Sequence, residues 1–218
     1  MLLLPCILLA RAYRYSRPMT TDKLPAPPAN PIIRGEKVYL RPGERSDLAD
    51  FVRWFNDADT MRYLGMRAPI GHAAEERWFD GMLERQGKRD YHFVICVQED
   101  GRAIGTVGLH EIDPEAGSAA FGIAIGEKDE WDKGYGTDAV NAVADFGFSA
   151  LRLERMWLDV YEQNLRARRS YEKAGFSVEG TMRHALFKGG EHSNVIRMSL
   201  LRDEWLALSR RQGATTGA

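Results

Sequence analysis

Lys133-Gly134-Tyr135-Gly136 is the stretch of this chain whose residue types most plainly serve chemistry. Its two glycines precede an amphipathic run from Thr137 to about Ala150, and a strand-like segment, Ser118 to Ile125, lies just upstream. A turn of this kind aims backbone N–H groups at one point, where the helix dipole adds positive potential. Absent side chains let an anion come close to the main chain. The chemistry implied is capture of a polyphosphate.

Known phosphate patterns fit this turn badly. The Walker pattern G-x-x-x-x-G-K-[ST] is absent. Gly134-x-Gly136-x-x-Ala139 formally matches the dinucleotide fingerprint, with Asp159 downstream in the position of the ribose-binding acid. That turn should follow its strand directly, yet Gly126 to Lys133 intervene after Ile125. It should also open a repeated parallel array, which the chain lacks. A turn with no ligand at all is the bland alternative.

The elements around the turn read as follows. Lys37 to Arg41 is strand-like, and Ser46-Asp47 can cap a helix to about Asn56 with Leu48, Phe51, Val52 and Phe55 on one face. A second helix is expected from Ala73 to about Gln86, with Trp78, Phe79, Met82 and Leu83 at apolar spacing. Three strands follow, at Tyr91–Val97, Ala103–Leu109 and Ser118–Ile125, with Asp100-Gly101 as a hairpin signal. After the glycine turn and its helix come a strand at Arg155–Val160 and a helix from Asn164 to Ala174, which Gly175 ends. Phe176–Thr181 and Ser193–Leu201 are the last strands, joined through Lys188-Gly189-Gly190-Glu191. An antiparallel front half with one βαβ crossover makes a mixed α/β domain, not a doubly wound one.

Bulk properties narrow the function further. The 218 residues suit one domain over residues 32–210, preceded by an extension at 1–31 and followed by a flexible tail at 211–218. Lys and Arg number 30 against 31 Asp and Glu, so nothing marks a nucleic-acid partner, although Arg166, Arg168 and Arg169 form a local patch. Cys6 and Cys96 make no disulfide framework, and His72, His92, His110, His184 and His192 lack metal-ligand spacing. No metal is expected. Leu2 to Ala10 is apolar but short for a membrane helix, and no basic residue precedes it as in a signal peptide. Met19 reads as the natural start, opening a proline-rich leader, Thr20 to Pro31. A cytoplasmic protein without a membrane partner is expected.

A second motif decides among the ligands. Asn164-x-x-Ala167-x-x-x-Tyr171-x-x-x-Gly175-Phe176 lies one strand beyond the glycine turn. With Trp131-x-Lys133-Gly134-Tyr135-Gly136-Thr137, it resembles the GNAT superfamily of acetyl-CoA-dependent N-acetyltransferases. The branch it is most similar to holds the ribosomal-protein N-terminal acetyltransferases and the spermidine acetyltransferases. Val38-Tyr39-Leu40-Arg41-Pro42, Gly105-Thr106-Val107-Gly108-Leu109 and Ile196-x-Met198-Ser199-Leu200-x-x-x-Glu204-Trp205 extend the likeness over about residues 33–208. Two departures stand out: Trp131 where the family usually has Gln or Arg, and Asp132 where glycine is common.

The resemblance implies a largely antiparallel twisted sheet with a central splayed parallel pair and flanking helices. It places acetyl-CoA between the Ser118–Ile125 and Arg155–Val160 strands. The pyrophosphate would rest on N–H groups of Asp132, Lys133, Gly134, Tyr135, Gly136 and Thr137. Backbone at Ala124, Ile125 and Gly126 would hold the pantetheine arm, and Asn164 would either bind the cofactor or cap its helix. Tyr171 would protonate the departing thiolate, a task that suits a phenol of ordinary pKa about 10. The attacking amine must lose a proton, and Glu111, with His110 beside it, is the candidate base. Glu75 and Glu76 are expected to be first-turn helix acids, and Trp54, Trp78 and Trp157 core residues. Cys96 shows no sign of activation as a nucleophile, so direct transfer to the amine is expected.

Two other classes compete: an acyl-CoA sensor without catalysis, and a dinucleotide-dependent oxidoreductase. The acceptor, whether a protein N-terminus, a polyamine or a small-molecule amine, is set by the two early helices, their connection from Tyr63 to Gly71, and the last two strands. A polyamine calls for a dense acidic cluster, and those segments show none clearly. A homodimer through the C-terminal strands is a further expectation from the family.

Overall fold

The computed structural model of the chain describes residues 30–66 and 68–216. The leader expected over residues 1–31 lies almost wholly outside the described residues. Eight strands form one sheet in the order β1-β2-β3-β4-β5-β6-β8-β7. They are β1 (Ile33–Arg34), β2 (Val38–Arg41), β3 (Tyr91–Val97), β4 (Ala103–Asp113), β5 (Ser118–Ile125), β6 (Arg155–Tyr161), β7 (Ser177–Lys188) and β8 (Glu191–Leu201). Every pairing is antiparallel except β5 with β6, so the predicted single parallel pair is present.

The helices are α1 (Leu48–Trp54), α2 (Ala58–Met61), α3 (His72–Arg85), α4 (Tyr135–Asp145), α5 (Leu165–Lys173) and α6 (Arg202–Thr216). A single π turn, Phe146–Ala150, prolongs α4 to the expected end of its apolar run. Three elements were not anticipated: β1, the one-turn α2, and α6, whose backbone continues through most of the segment expected to be a tail.

Period-two alternation divides the apolar residues between the two faces of the sheet. Val38, Leu40, Phe93, Ile95, Val107, Leu109 and Phe121 face α4 and α5 in the main core. Tyr39, Val94, Cys96 and Ala103 face the other way, against Leu48, Phe51 and Trp54 at the start of and along α1 and Phe79 and Met82 of α3. Each large apolar side chain buried there contributes roughly 1.5–3 kcal/mol, which fixes both helices over the β3–β5 surface. The central strands are therefore covered on both sides, and β3 reads as a nearly continuous apolar run.

One polar tie joins the sheet edge to the helix of the glycine turn. Asp138, in the first turn of α4, accepts hydrogen bonds from the backbone N–H groups of Glu36, Lys37 and Val38 at 2.9, 2.8 and 2.9 Å. Its charge is thereby neutralised by local dipoles.

Candidate active site

β5 and β6 pair only at Ser118–Ala120 against Arg155–Trp157. Beyond that point β5 stays with β4 to Ile125, while β6 stays with β8 to Tyr161. The strands part, and a cavity of about 620 Å³ opens between them. Its walls are β5 from Phe121 to Ile125, the end of β6, the N-terminus of α4 and one face of α5.

Gly134 is the N-cap of α4, in the left-handed region at φ +88°. A side chain there would be strained, which is why glycine stands at this position. No side chain caps this helix, whereas Asp57 caps α2 and Asn164 caps α5. The first-turn N–H groups of α4 thus lack side-chain partners and face the cavity that Asp132, Gly134, Gly136 and Thr137 line. Arg166, Arg169 and Lys173 of α5 line the same cavity, placing cations where a polyphosphate would lie. Arg166 is fixed over the Trp131 ring at 3.7 Å. Thr137 and Ser170 share a 2.6 Å hydrogen bond that locks α4 to α5.

Tyr171 closes the inner end. It is buried against Phe121 and Phe176, with ring centroids 6.0 and 6.1 Å away. Its hydroxyl makes no hydrogen bond among the described residues, and burial pushes the phenol well above its ordinary value. The hydroxyl therefore keeps its proton at neutral pH, as a donor must, while the same shift makes it a weaker acid toward a departing thiolate. Thr60 also lines the cavity with a buried hydroxyl that has no partner among the described residues. Uncapped amides, α5 cations and two orphaned hydroxyls along one cleft fit an anionic, amide-bearing cofactor.

The model of the acetyltransferase (GNAT) domain matches residues 37–177. The chain belongs to the GNAT acetyltransferases. As such it is an acetyl-CoA-dependent N-acetyltransferase, and the dinucleotide and sensor readings fall away. It is similar to the spermidine N(1)-acetyltransferase of Escherichia coli (strain K12), at 34% identity over 178 residues, covering 82% of this chain and 93% of that one. It is also similar to the uncharacterized N-acetyltransferase p20 of Bacillus licheniformis, at 30% identity over 78% of this chain and 96% of that one. Among solved structures, the spermidine N-acetyltransferase of Vibrio cholerae in complex with CoA and spermine superposes with TM-score 0.72. The two are 28% identical, covering 78% of this chain and 98% of that one.

Within this GNAT domain the expected site residues fall into two groups. Ala124, Ile125, Asp132, Gly134, Gly136, Thr137, Asn164 and Tyr171 all line the cleft. Gly126, Lys133 and Tyr135 do not. Gly126 lies against the Trp54 ring, and its N–H donates to Ile104 at 2.9 Å. The Lys133 ammonium turns to Glu130 at 3.1 Å, and Tyr135 packs on the main core. Ile125 lines the cleft, but its carbonyl accepts a 2.8 Å hydrogen bond from Trp131 Nε1. Asn164 accepts from the Ala167 N–H at 3.2 Å, so it caps α5 while its amide N–H groups stay without a partner among the described residues.

On the opposite face of the sheet lies a second cavity, of about 360 Å³, beneath α1 and α3. Gly122, Ile123 and Ala124 of β5 line both cavities, so the two meet across one strand. His92, Gly108 and Gly122 stand side by side on β3, β4 and β5. The two glycines leave room for imidazoles: a Cβ on Gly122 would fall 2.9 Å from His110, and one on Gly108 3.0 Å from His92. The His92 and His110 rings stack at 6.3 Å, and Trp78 meets His92 edge-on at 5.6 Å. Burial lowers the pKa of both histidines, against the opposing pull of Asp90, so both are neutral proton acceptors at neutral pH.

Glu111 lines neither cavity. It is exposed, at φ +52° in the irregularity that interrupts β4–β5 pairing between His110 and Asp113. The core expectation holds for Trp54, is only partial for Trp157, and fails for Trp78, which is 41% exposed and walls the second cavity. Neighbouring helix positions point about 100° apart, so Phe79 takes the core and Trp78 takes the cavity mouth. Glu75 is a first-turn acid of α3, as expected, but it is buried, and burial raises its carboxyl pKa.

Cavity-lining residues that the sequence did not single out for this role are Arg166, Arg169 and Lys173 in the first cavity, and His92 and Trp78 in the second. The α5 cations had a readable signal, since intervals of three and four align them on one helical face. Cys96 is buried, and burial raises its thiol pKa, so it offers no thiolate for an acyl-enzyme.

Proposed function

We propose that this acetyltransferase moves the acyl group directly to a primary amine entering from the α1–α3 side, with Tyr171 as general acid. The observation that supports this most strongly is the pair of cavities meeting at Gly122–Ala124, with an unpartnered Tyr171 hydroxyl on the donor side. Acetyl-CoA supplies an activated acyl group as its thioester. Main-chain amides of residues 132–137 bind the pyrophosphate, assisted by Arg166, Arg169 and Lys173. Backbone at Ala124 and the amide of Asn164 orient the pantetheine arm. His92 and His110, rather than Glu111, take up the proton of the amine, directly or through water. Residues 32–210 form the catalytic unit in this reading.

Polyamine acceptance is a competing second reading of the acceptor, favoured by the 34% identity that spans nearly all of the E. coli spermidine enzyme and opposed by the absence of acids among the described residues lining the cavity beneath α1 and α3. A homodimer across the β7 edge, where Val178, Met182 and Phe187 are exposed, belongs to the same proposal and is checked by light scattering. So does a cytoplasmic location, tested by fractionation; among the described residues no helix is long and apolar enough to cross a membrane.

The deciding experiment combines acetyl-CoA titration calorimetry with thiol-release assays over a panel of amines. Stoichiometric acetyl-CoA binding and amine-dependent thiol release are expected. Absence of both overturns the reading.

A further inference from the structure

We infer that the preferred acceptor is a primary monoamine carrying an apolar body, an arylalkylamine or medium-chain alkylamine, and not a polyamine. The inference rests on the acetyl transfer proposed above and concerns the cavity beneath α1 and α3. That cavity is walled by Phe51 and Phe55 beside α1, Trp78 and Met82 of α3, and Val94 of β3, over the Gly108–Gly122 floor. Its volume of about 360 Å³ stands at the lower end of the roughly 300–1,000 Å³ typical of small-molecule sites.

Charge decides against a polycation. Among the described residues lining this cavity, the titratable ones are His92 and His110, and none is acidic. The connection from Tyr63 to Gly71 contains no acid in its sequence and one arginine, Arg67. The carboxylates of the neighbouring donor cavity are committed elsewhere. Asp59 pairs with Lys128 at 3.2 Å, Glu130 with Arg102 at 2.7 Å, and Asp159 with Arg197 at 2.6 Å. Asp132 belongs to the pyrophosphate turn. Glu75, one turn before Trp78 on α3, lines neither cavity.

A second or third ammonium of spermidine would enter this cavity without a counter-charge, and burying an unpaired charge is strongly unfavourable. An amine with one nitrogen meets no such penalty. It loses its proton toward the imidazoles at the floor, while its carbon skeleton covers Trp78, Phe51 and Met82. Trp78 gives the class its aromatic preference, because a half-exposed indole beside an apolar wall offers edge and face contacts to a second ring.

The test measures kcat/KM by thiol release at saturating acetyl-CoA. The acceptors are propylamine through hexylamine, 2-phenylethylamine, spermidine, spermine and a short peptide with a free N-terminus. A gain of roughly fourfold per added methylene is expected up to the size limit of the cavity, the ratio that burial of one methylene yields. Phenylethylamine should exceed spermidine at least tenfold. Trp78→Ala should lower kcat/KM for phenylethylamine about tenfold while acetyl-CoA affinity stays unchanged. Trp78→Phe should restore most of it, and Thr106→Asp, which adds a carboxylate to the floor, should move preference toward spermidine.

Spermidine or the peptide as best acceptor, or no apolar amine turned over by enzyme that binds acetyl-CoA, overturns the inference and leaves acetyl transfer standing. Failure to bind acetyl-CoA, with no turnover of any amine, instead overturns the acetyl transfer beneath it.

Discussion

The cleft between β5 and β6 is built from main chain, with uncapped amides at α4 and an open strand edge, and α5 cations stand over it. The cavity beneath α1 and α3 is built from side chains that project from alternate positions of β3, β4 and β5 and from two helix faces. In the proposed reading the first would hold acetyl-CoA, largely through main-chain groups that most substitutions leave in place. The second would hold the amine by shape and charge, through side chains that substitution changes directly. Separating function in this way lets the acceptor vary while the donor stays fixed.

Mutations can break or sharpen that contrast. The largest effect is expected from Tyr171→Phe, which should reduce kcat about 100-fold, the lower end of general acid contributions, with acetyl-CoA affinity unchanged by calorimetry. An unaltered kcat with a good acceptor would remove Tyr171 from the chemistry. Gly134→Val forces a branched side chain into φ +88°, a strain of about 1–3 kcal/mol, and should raise the KM for acetyl-CoA roughly tenfold. The KM for the amine should not move; an equal rise in both would mean that the two sides are not separable.

Asp138→Ala leaves three backbone N–H groups without their acceptor. A loss of about 2 kcal/mol in stability follows, or roughly 4–8 °C in Tm by thermal denaturation. Catalysis measured well below the transition should be largely intact.

The smallest effect concerns pH and the acceptor side. Burial holds His92 and His110 below their ordinary 6.5, so the unfolded chain binds protons first as pH falls. Their neutral burial costs nothing above about pH 6.5, and stability declines as the pH drops through that value toward the lower folded pKa. His92→Gln should flatten the Tm profile between pH 7 and about pH 5, whereas Asn164→Ala on the donor side should not.

The same contrast explains what was legible in the sequence. The place of Gly134, Asn164 and Tyr171 along the cleft was readable because a glycine turn, a helix cap and a motif position each demand particular residue types at fixed spacing. The acceptor side offered no such signature. His92 and His110 come together only through the β3–β4–β5 register, in which glycines on two other strands make room for them. Trp78 and Phe79 read as one apolar stripe, and only the packing of α3 on Val94 and Phe51 shows which of the two is core. Glu111 has the chemistry of a base, but the β4 irregularity leaves it outside both cavities. The α6 helix was missed because its sequence carries little amphipathic contrast, and tertiary docking of Trp205 and Leu208 on the main core orders it.

The Gly108–Gly122 floor sets the terms on which this enzyme could be retargeted. Trp78, half-exposed at the mouth of the cavity beneath α1 and α3, is the position open to a designer, whereas Phe51 and Met82 also belong to the core that fixes those helices. Gly122 is not free. Even one methyl group there would run into His110 and at the same time press on the strand that both ligands share. Libraries aimed at new acceptors therefore belong on the helices, with the two-glycine row held constant.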